Sequence, residues 1–272
     1  MTNSVAGVQR PETFRSGDRR ALVIAVDGPS GSGKSSAARG TASALGLRYL
    51  DTGAMYRAVT WWMLEHDVDL ADAGAVARHT QDLSIDISTD PEVQWIRVDG
   101  IDVSAEIRKR RVSNVVSLVA AVPDVRVCLI AQQQQLIATA AQAGGIVAEG
   151  RDIGTVVAQD ATVKVYLTAS EQVRAERRAA ELAGRQAGPP RAGSRPARGA
   201  DGDGHRSNDG HSGQERPPSA AVTRAEQAQR DRRDAPQSQV AADAIEIDAT
   251  DLSLDDVVGR IIGVAHAKEA DR

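Results

Sequence analysis

The sequence contains few of the residues that build disulfides and aromatic cores. Cys128 is the only cysteine among 272 residues, so an internal disulfide is impossible and a cysteine-rich metal site is excluded. A chain without disulfides is typical of a reducing compartment, which predicts a cytoplasmic location. Phe, Trp and Tyr together account for 3% of the residues, and aliphatic side chains must therefore form most of the core.

Long apolar runs and a strong net charge are also missing. No stretch of about eighteen consecutive apolar residues occurs, so we expect no membrane-spanning segment. The formal net charge of −4 is small for this length and gives no reason to expect binding to nucleic acid or to an acidic membrane. Residues 1–20 mix both charges without an apolar run and are interpreted as a flexible leader.

The pattern that remains predicts an α/β protein. Short apolar, β-branched runs alternate with longer segments of helical period, as in a parallel sheet built from βαβ units. We expect a helix after each strand, the first running from Lys34 to Leu45 and ending at Gly46. The predicted strands are Leu22–Val26, Arg48–Leu50, Ile146–Ala148, Val163–Leu167 and Ala244–Ile247.

Two segments depart from this alternation. Between Leu83 and Val103, apolar and polar residues alternate around turn signals such as Asp99-Gly100, which predicts a small antiparallel meander inserted into the core. Three edge strands of the main sheet are the alternative. Residues 184–220 are rich in Gly, Pro, Arg and Ser and nearly free of large apolar residues, so we expect a mobile segment. A solvated linker is favoured there over a patch that binds phosphate or nucleic acid.

A glycine-rich loop follows the first predicted strand. It matches the phosphate-binding pattern G-x-x-x-x-G-K-[ST] and precedes a predicted helix, which is the context that this pattern requires. Its glycines let successive backbone amides point inward, and the helix N-terminus adds the positive end of its dipole. A glycine turn without a ligand is the alternative. We predict that ATP is bound by Gly28, Pro29, Ser30, Gly31, Ser32, Gly33, Lys34, Ser35 and Ser36.

Within this loop, two side chains have predicted roles in phosphate chemistry. Lys34 would reach the outer phosphates, and the Ser35 hydroxyl would bind the Mg²⁺ that accompanies ATP. The loop alone does not distinguish a GTP-driven switch from a kinase. A switch needs a guanine-reading [NT]-K-x-D segment, and no Asn or Thr in the chain is followed by Lys. A kinase is therefore favoured, and it requires a second anionic pocket.

Candidates for that second pocket follow two other predicted strands. DTGAMYRA (residues 51–58) and EGRDIGT (residues 149–155) lie at strand carboxyl ends, where open α/β sheets bind ligands. As an alternative, Arg151 and Asp152 pair with each other on a surface loop.

Arginines bracket the Gly/Pro-rich segment. They suggest a lid that closes over the phosphates, and the alternative is a pair of solvated helix faces. The residues are Arg174, Arg177 and Arg178 before the segment, and Arg230, Arg232 and Arg233 after it.

Seven segments give the chain a specific resemblance. In order they are DGPSGSGKSS, DTGAMYRA, AEIR, SNVVSLVAAVPDVR, EGRDIGTVV, AERR and RDRRD. The sequence resembles bacterial cytidylate kinases, which phosphorylate CMP and dCMP with ATP, from about Leu22 to the C-terminal helix except over residues 184–220. The resemblance implies one P-loop kinase domain over residues 21–272, with a five-stranded parallel sheet and helices on both faces. It also implies a small antiparallel CMP-binding insertion at about 61–110 and a mobile lid at about 184–220.

The same resemblance implies two sets of site residues and a monomer whose substrates are ATP and CMP or dCMP. Ser117, Arg126 and Asp152 would face cytosine, and a carboxylate such as Asp152 can accept a hydrogen bond from the cytosine amine but not from the uracil oxygen. The implied catalytic residues are Lys34, Arg174, Arg178 and Arg230. The implied CMP site consists of Thr52, Tyr56, Arg57, Ser117, Arg126, Arg151, Asp152, Arg230 and Asp234.

Two departures from this family's pattern concern the lid. Members of that family have a compact, helix-rich lid where this chain has the Gly/Pro/Arg-rich segment. They also carry a phosphate-binding arginine a few residues after the RDxxD stretch, at a place that Gln237 occupies here. Either Arg232 or Arg233 substitutes for it, or activity is reduced. Two alternative functions therefore stay open: another P-loop kinase, and a regulatory protein that binds nucleotides without turnover.

Overall fold

The computed structural model describes residues 21–186 and 220–270. The strands in these stretches are β1 (Leu22–Asp27), β2 (Arg48–Asp51), β3 (Ile85–Ile87), β4 (Ile96–Val98), β5 (Ile101–Asp102), β6 (Gly145–Gly150), β7 (Val163–Thr168) and β8 (Ile245–Asp248). The helices are α1 (Lys34–Leu45), α2 (Thr52–Glu65), α3 (Ala73–Asp82), α4 (Arg110–Ala120), α5 (Pro123–Gln142), α6 (Glu171–Gln186), α7 (Ala220–Asp234) and α8 (Leu254–Ala270).

Five strands form a parallel sheet in the order β2-β6-β1-β7-β8, which confirms the predicted fold class. The central strand β1 pairs with β6 in the register Leu22↔Gly145 and with β7 in the register Ile24↔Val163. Ile24, Ala25 and Val26 are fully buried. A central parallel strand is covered on both faces, which explains why this part of the sequence is an uninterrupted apolar run.

Helices cover both faces of the sheet and form two apolar cores. Ile24 and Val26 pack on one face with residues of α1 and α8, including Ala38 and Ile261. Ala25, which points to the opposite face, belongs to the core that includes residues of α2, α4 and α5. Successive side chains of a strand point to opposite faces, so β1 contributes to both cores and fixes the loop that follows it.

The small sheet β3-β4-β5 is antiparallel and separate from the main sheet. It confirms the predicted meander, and the alternative of three further edge strands is wrong. Val98 pairs with Ile85 and is buried in the core that contains α2. The meander therefore lies against the helix that begins at one of the predicted substrate segments.

The prediction of a helix after each strand is wrong for β6. The chain there forms only a short π-helical turn, Ile153–Val157, before it enters β7. The physical reason is that the carboxylate of Asp27 accepts hydrogen bonds from the backbone amides of Ile153 (2.9 Å) and Gly154 (2.8 Å). These bonds hold the segment against the end of β1.

The predicted leader, residues 1–20, lies outside the described residues. Most of the predicted mobile segment also lies outside them, since α6 ends at Gln186 and α7 begins at Ala220. Both remain predictions. Within the described ranges, no single helix is long and apolar enough to cross a bilayer, and the one pair of helices that meets the criterion together, α4 and α5, is bent by 100°.

Candidate active site

The loop between β1 and α1 uses backbone conformations that favour glycine. Gly28 has a φ of +148°, and a Cβ atom at this position would lie 2.0 Å from the carbonyl oxygen of Leu167. Gly33, with a φ of +97°, is the N-cap of α1. These positions tolerate a side chain poorly, so the loop turns tightly and leaves the first amides of α1 free to bind an anion.

A cavity of about 480 Å³ lies beside this loop. It is lined by the loop itself, by the end of β6 and by residues of seven helices, so the two predicted substrate sites form one continuous space. The predicted site residues that line it are Ser30, Gly31, Ser32, Gly33, Lys34, Ser35, Ser36, Thr52, Tyr56, Arg57, Ser117, Arg126, Arg151, Asp152, Arg178, Arg230 and Asp234.

Three predicted residues do not line the cavity: Gly28, Pro29 and Arg174. The carbonyl of Pro29 accepts a hydrogen bond of 2.8 Å from Lys34 Nζ. Arg174 donates to the carbonyl oxygen of Ser30 (3.1 Å) and pairs with Asp231. Its guanidinium thus binds the loop from outside the cavity, and the predicted contact with the transferring group is not supported by this position.

Two further arginines line the cavity, Arg108 and Arg177. Arg177 was predicted only as one of the arginines of a lid, and Arg108 had no predicted role. Arg177 donates hydrogen bonds to the carbonyl oxygens of Ser32 (3.2 Å) and Ala249 (2.8 Å). Both arginines lie in segments that carried the family resemblance, AEIR and AERR, and that was the signal from which they could have been found.

Arg151 connects the two halves of the site. Its Nη1 donates a hydrogen bond of 2.7 Å to the carbonyl oxygen of Gly28, and its Nε donates one of 3.2 Å to Asp234. The alternative in which Arg151 pairs with Asp152 on a surface loop is wrong, because Asp152 is buried and pairs with Arg126. Arg151 is therefore held between the phosphate loop and α7.

The residues predicted to face cytosine line another part of the cavity. Arg126 and Asp152 form an ion pair there, and Tyr56 lines the same space. Burial and the charge of Asp152 raise the pKa of the Tyr56 hydroxyl to about 12, so it stays protonated. The Ser117 hydroxyl donates a hydrogen bond of 2.7 Å to Asp234, which connects this part of the cavity to α7.

Asp51 organises the start of α2. Its carboxylate caps the helix by accepting a hydrogen bond of 2.8 Å from the amide of Ala54, and it accepts another of 2.9 Å from Arg57. Arg108 lies 3.8 Å from the same carboxylate. Burial alone would raise the pKa of Asp51, but the charges of Arg57 and Arg108 outweigh it, and the pKa is lowered. Asp51 is consequently ionised near neutral pH.

The centre of the cavity has an excess of positive charge. Burial, followed by the charge of Arg151, lowers the pKa of Lys34 to about 7. Burial and the same arginine lower the pKa of Arg230 to about 9, against the attraction of Asp234. Cations that lower one another's pKa in a buried site are typical of a site that binds an anion. This electrostatic pattern fits phosphate groups.

A buried carboxylate, Glu149, lies at the end of β6 beside the loop. Tyr49 donates a hydrogen bond of 2.9 Å to it. Burial and the charge of Asp51 raise its pKa, while Lys34 and the hydroxyls of Ser35 and Tyr49 oppose the rise. Among residues 21–186 and 220–270, no group of three or more His, Cys, Asp or Glu could hold a metal ion by itself.

The structure also shows what lies at position 237, where the resemblance implied a phosphate-binding arginine and this chain has glutamine. Gln237 lines the cavity, whereas Arg232 and Arg233 are exposed and do not. Neither arginine thus reaches the cavity in place of the arginine that the resemblance implied at position 237.

Comparison with known proteins agrees with this site. Residues 24–188 match the family model described as cytidylate kinase. A cytidylate kinase from Streptomyces avermitilis is 41% identical over 250 residues, which cover 92% of this chain and 95% of the relative. One from Rhodococcus opacus is 43% identical over 245 residues (89% and 93%), and one from Nocardia farcinica is 55% identical over 157 residues (58% and 66%). By both kinds of comparison, the chain belongs to the cytidylate kinase family.

Proposed function

We propose that this chain transfers the terminal phosphoryl group of ATP to CMP and dCMP, giving ADP and CDP or dCDP. Membership of the cytidylate kinase family supports the reaction. One structural observation carries the proposal: the phosphate loop and the arginines Arg57, Arg151 and Arg230 line the same cavity. This arrangement suits two polyanions whose phosphates face each other.

Positioning and charge neutralisation dominate the proposed catalysis. The attacking group of CMP is a phosphate oxygen, which needs no strong general base, whereas two polyanions repel each other. Lys34 and the amides of the loop would bind the β- and γ-phosphates of ATP. Arg57 and Arg151 would bind the acceptor phosphate, and Arg178 and Arg230 would neutralise the group in transfer. Guanidinium groups suit this role because their paired N–H donors match phosphate oxygens.

Selection of cytosine is assigned to the ion pair of Arg126 and Asp152. Asp152 is 6% exposed, so its carboxylate must be satisfied by partners inside the protein or the ligand. The cytosine amine is a donor that this carboxylate can accept from, while uracil presents an oxygen at the same position and would leave it unsatisfied.

Mg²⁺ would enter with ATP as part of the substrate. Ser35 lines the cavity, and its hydroxyl is one of the groups that lower the pKa of the buried Glu149 carboxylate. Hydroxyl, carboxylate and phosphate oxygens are the ligands that Mg²⁺ prefers. We assign Ser35 to direct or water-mediated binding of the ion and Glu149 to its hydration shell.

An acceptor screen tests the proposed function. ADP release with ATP and Mg²⁺ is measured in the presence of CMP, dCMP, UMP, AMP or shikimate, and without an acceptor. We expect ADP formation to depend on CMP or dCMP. A preference for another acceptor would indicate a different P-loop kinase, and binding of CMP and ATP without turnover would indicate a regulatory protein. A parallel assay replaces ATP by GTP, and GTP hydrolysis without an acceptor would indicate a switch.

Two properties of the protein stay predictions. The cytoplasmic location follows from the single cysteine, and the monomeric state follows from the resemblance. Fractionation of the source cells and sedimentation of the purified protein measure them directly.

A further inference from the structure

We propose that Arg108, from the small insertion, binds the phosphate of the acceptor nucleotide. The proposal deepens the function above and rests on CMP as the acceptor. Arg108 lies in the short turn Glu106–Arg108 between β5 and α4, and it lines the same cavity as Arg57 and Arg151.

The turn that carries Arg108 is anchored to the core. Ile107 is 1% exposed, and its amide donates a hydrogen bond of 3.0 Å to the carbonyl oxygen of Val103. The neighbouring cations Lys109 and Arg111 pair with the carboxylates of Glu106 and Glu65. Arg108 instead points into the cavity. Its position is thus set by the backbone of a packed turn.

The charge balance around Asp51 leaves Arg108 available for a ligand. Arg57 donates hydrogen bonds of 2.9 and 3.2 Å to the Asp51 carboxylate, whereas Arg108 approaches it only to 3.8 Å, which exceeds hydrogen-bond distance. Two guanidinium groups therefore share one carboxylate. The guanidinium of Arg108 has five N–H donors in a planar fork, and a phosphate between Arg57 and Arg108 would satisfy both.

The cations on the α7 side of the cavity share one carboxylate, so a further cation matters for the phosphate. Gln237 lines the cavity without a charge, while Arg232 and Arg233 are exposed. Arg151 and Arg230 both pair with the single carboxylate of Asp234. An acceptor phosphate carries about two negative charges near neutral pH, so a further guanidinium on the side of α2 increases its neutralisation.

The test compares two ligands that differ only in the phosphate. CMP is titrated calorimetrically into the wild-type protein and the Arg108→Gln variant, and cytidine is measured by competition with CMP. We expect the variant to bind CMP about 10- to 100-fold more weakly, as for the loss of a charge-assisted contact, with unchanged affinity for cytidine. Arg108→Lys, which keeps the charge without the fork, should fall between the two. Arg111→Gln is the matched control and should bind CMP like the wild type.

Two outcomes would overturn the proposal. An equal loss of CMP and cytidine affinity would show that Arg108 only supports the fold around Asp51, and an unchanged CMP affinity would show that it does not touch the phosphate. A wild-type protein that binds CMP no better than cytidine would instead refute the proposed function.

Discussion

The guanidinium of Arg151 donates a hydrogen bond of 2.7 Å to the carbonyl oxygen of Gly28. Gly28 begins the glycine-rich loop, and Arg151 belongs to the segment that also provides Asp152 to the cavity. Asp27 reinforces the contact by accepting hydrogen bonds from the amides of Ile153 and Gly154. The proposed site for ATP and the proposed site for the acceptor are thus connected through short contacts at the ends of β1 and β6.

Replacement of Lys34 by alanine should lower phosphoryl transfer by about 10²-fold or more, because a preorganised cation at the transferred group is lost. The fold should persist, since removal of Lys34 relieves repulsion from Arg151 and Arg230. The rate of CMP-dependent ADP formation and the far-ultraviolet circular dichroism spectrum measure the two effects. Near-normal turnover by a folded variant would remove Lys34 from the mechanism.

Replacement of Asp152 by asparagine should weaken the discrimination of CMP from UMP, because an amide can donate to the uracil oxygen where a carboxylate cannot. We expect the ratio of kcat/KM for CMP over UMP to fall by about tenfold or more, as for one unsatisfied buried group. Asp160→Asn, at an exposed position, is the matched control. If the ratio is the same in both variants, Asp152 does not read the base.

Binding of ATP should be accompanied by proton uptake. With a pKa of about 7 in the free protein, Lys34 is mostly neutral at pH 8. Bound phosphates favour the charged form and raise its pKa, so close to one proton should be taken up at pH 8 and less at pH 6. Calorimetric titrations with a non-hydrolysable ATP analogue, in buffers of different ionisation enthalpy, measure this number. The uptake should disappear in Lys34→Met, and equal uptake by both proteins would assign the proton to another group.

Replacement of Gly28 by alanine should destabilise the fold by at least about 2 kcal/mol, because a Cβ at this φ is strained and collides with the backbone. The colliding atom is the Leu167 carbonyl oxygen in the neighbouring strand β7, 2.0 Å away. Gly259→Ala in α8 is the control, since nothing lies within 4 Å of its added Cβ, and it should increase stability by up to about 1 kcal/mol. Urea unfolding of both variants gives the two values, and equal stabilities would show that the loop relaxes without cost.

Local patterns made much of the fold predictable. The five parallel strands, helix α1 and the separate meander each follow from a few adjacent residues, such as the apolar run that ends at Val26 and the turn at Asp99. The prediction of a helix after β6 was wrong because the π-helical turn that forms there is held by Asp27, which is more than 120 residues away in the sequence. Contacts over such separations leave no periodic signal.

The site was predictable at the level of motifs but not at the level of partners. The phosphate loop and the EGRD segment both marked parts of the cavity, and most of their residues line it. The ion pairs could not be predicted from the sequence. Asp152 pairs with Arg126, and Arg151 pairs with Asp234, and these partners meet only because α5 and α7 pack against the site. For the same reason, Arg174 was expected inside the cavity and Arg108 was left without a role.

In the proposed mechanism, one cavity holds two nucleotides with their phosphates facing each other. The most direct measurement is a calorimetric titration of CMP into protein saturated with a non-hydrolysable ATP analogue and Mg²⁺, followed by the reverse order of addition. We expect each nucleotide to bind with a stoichiometry of one in the presence of the other. Displacement of the first nucleotide by the second, with no ternary complex in either order, would contradict it.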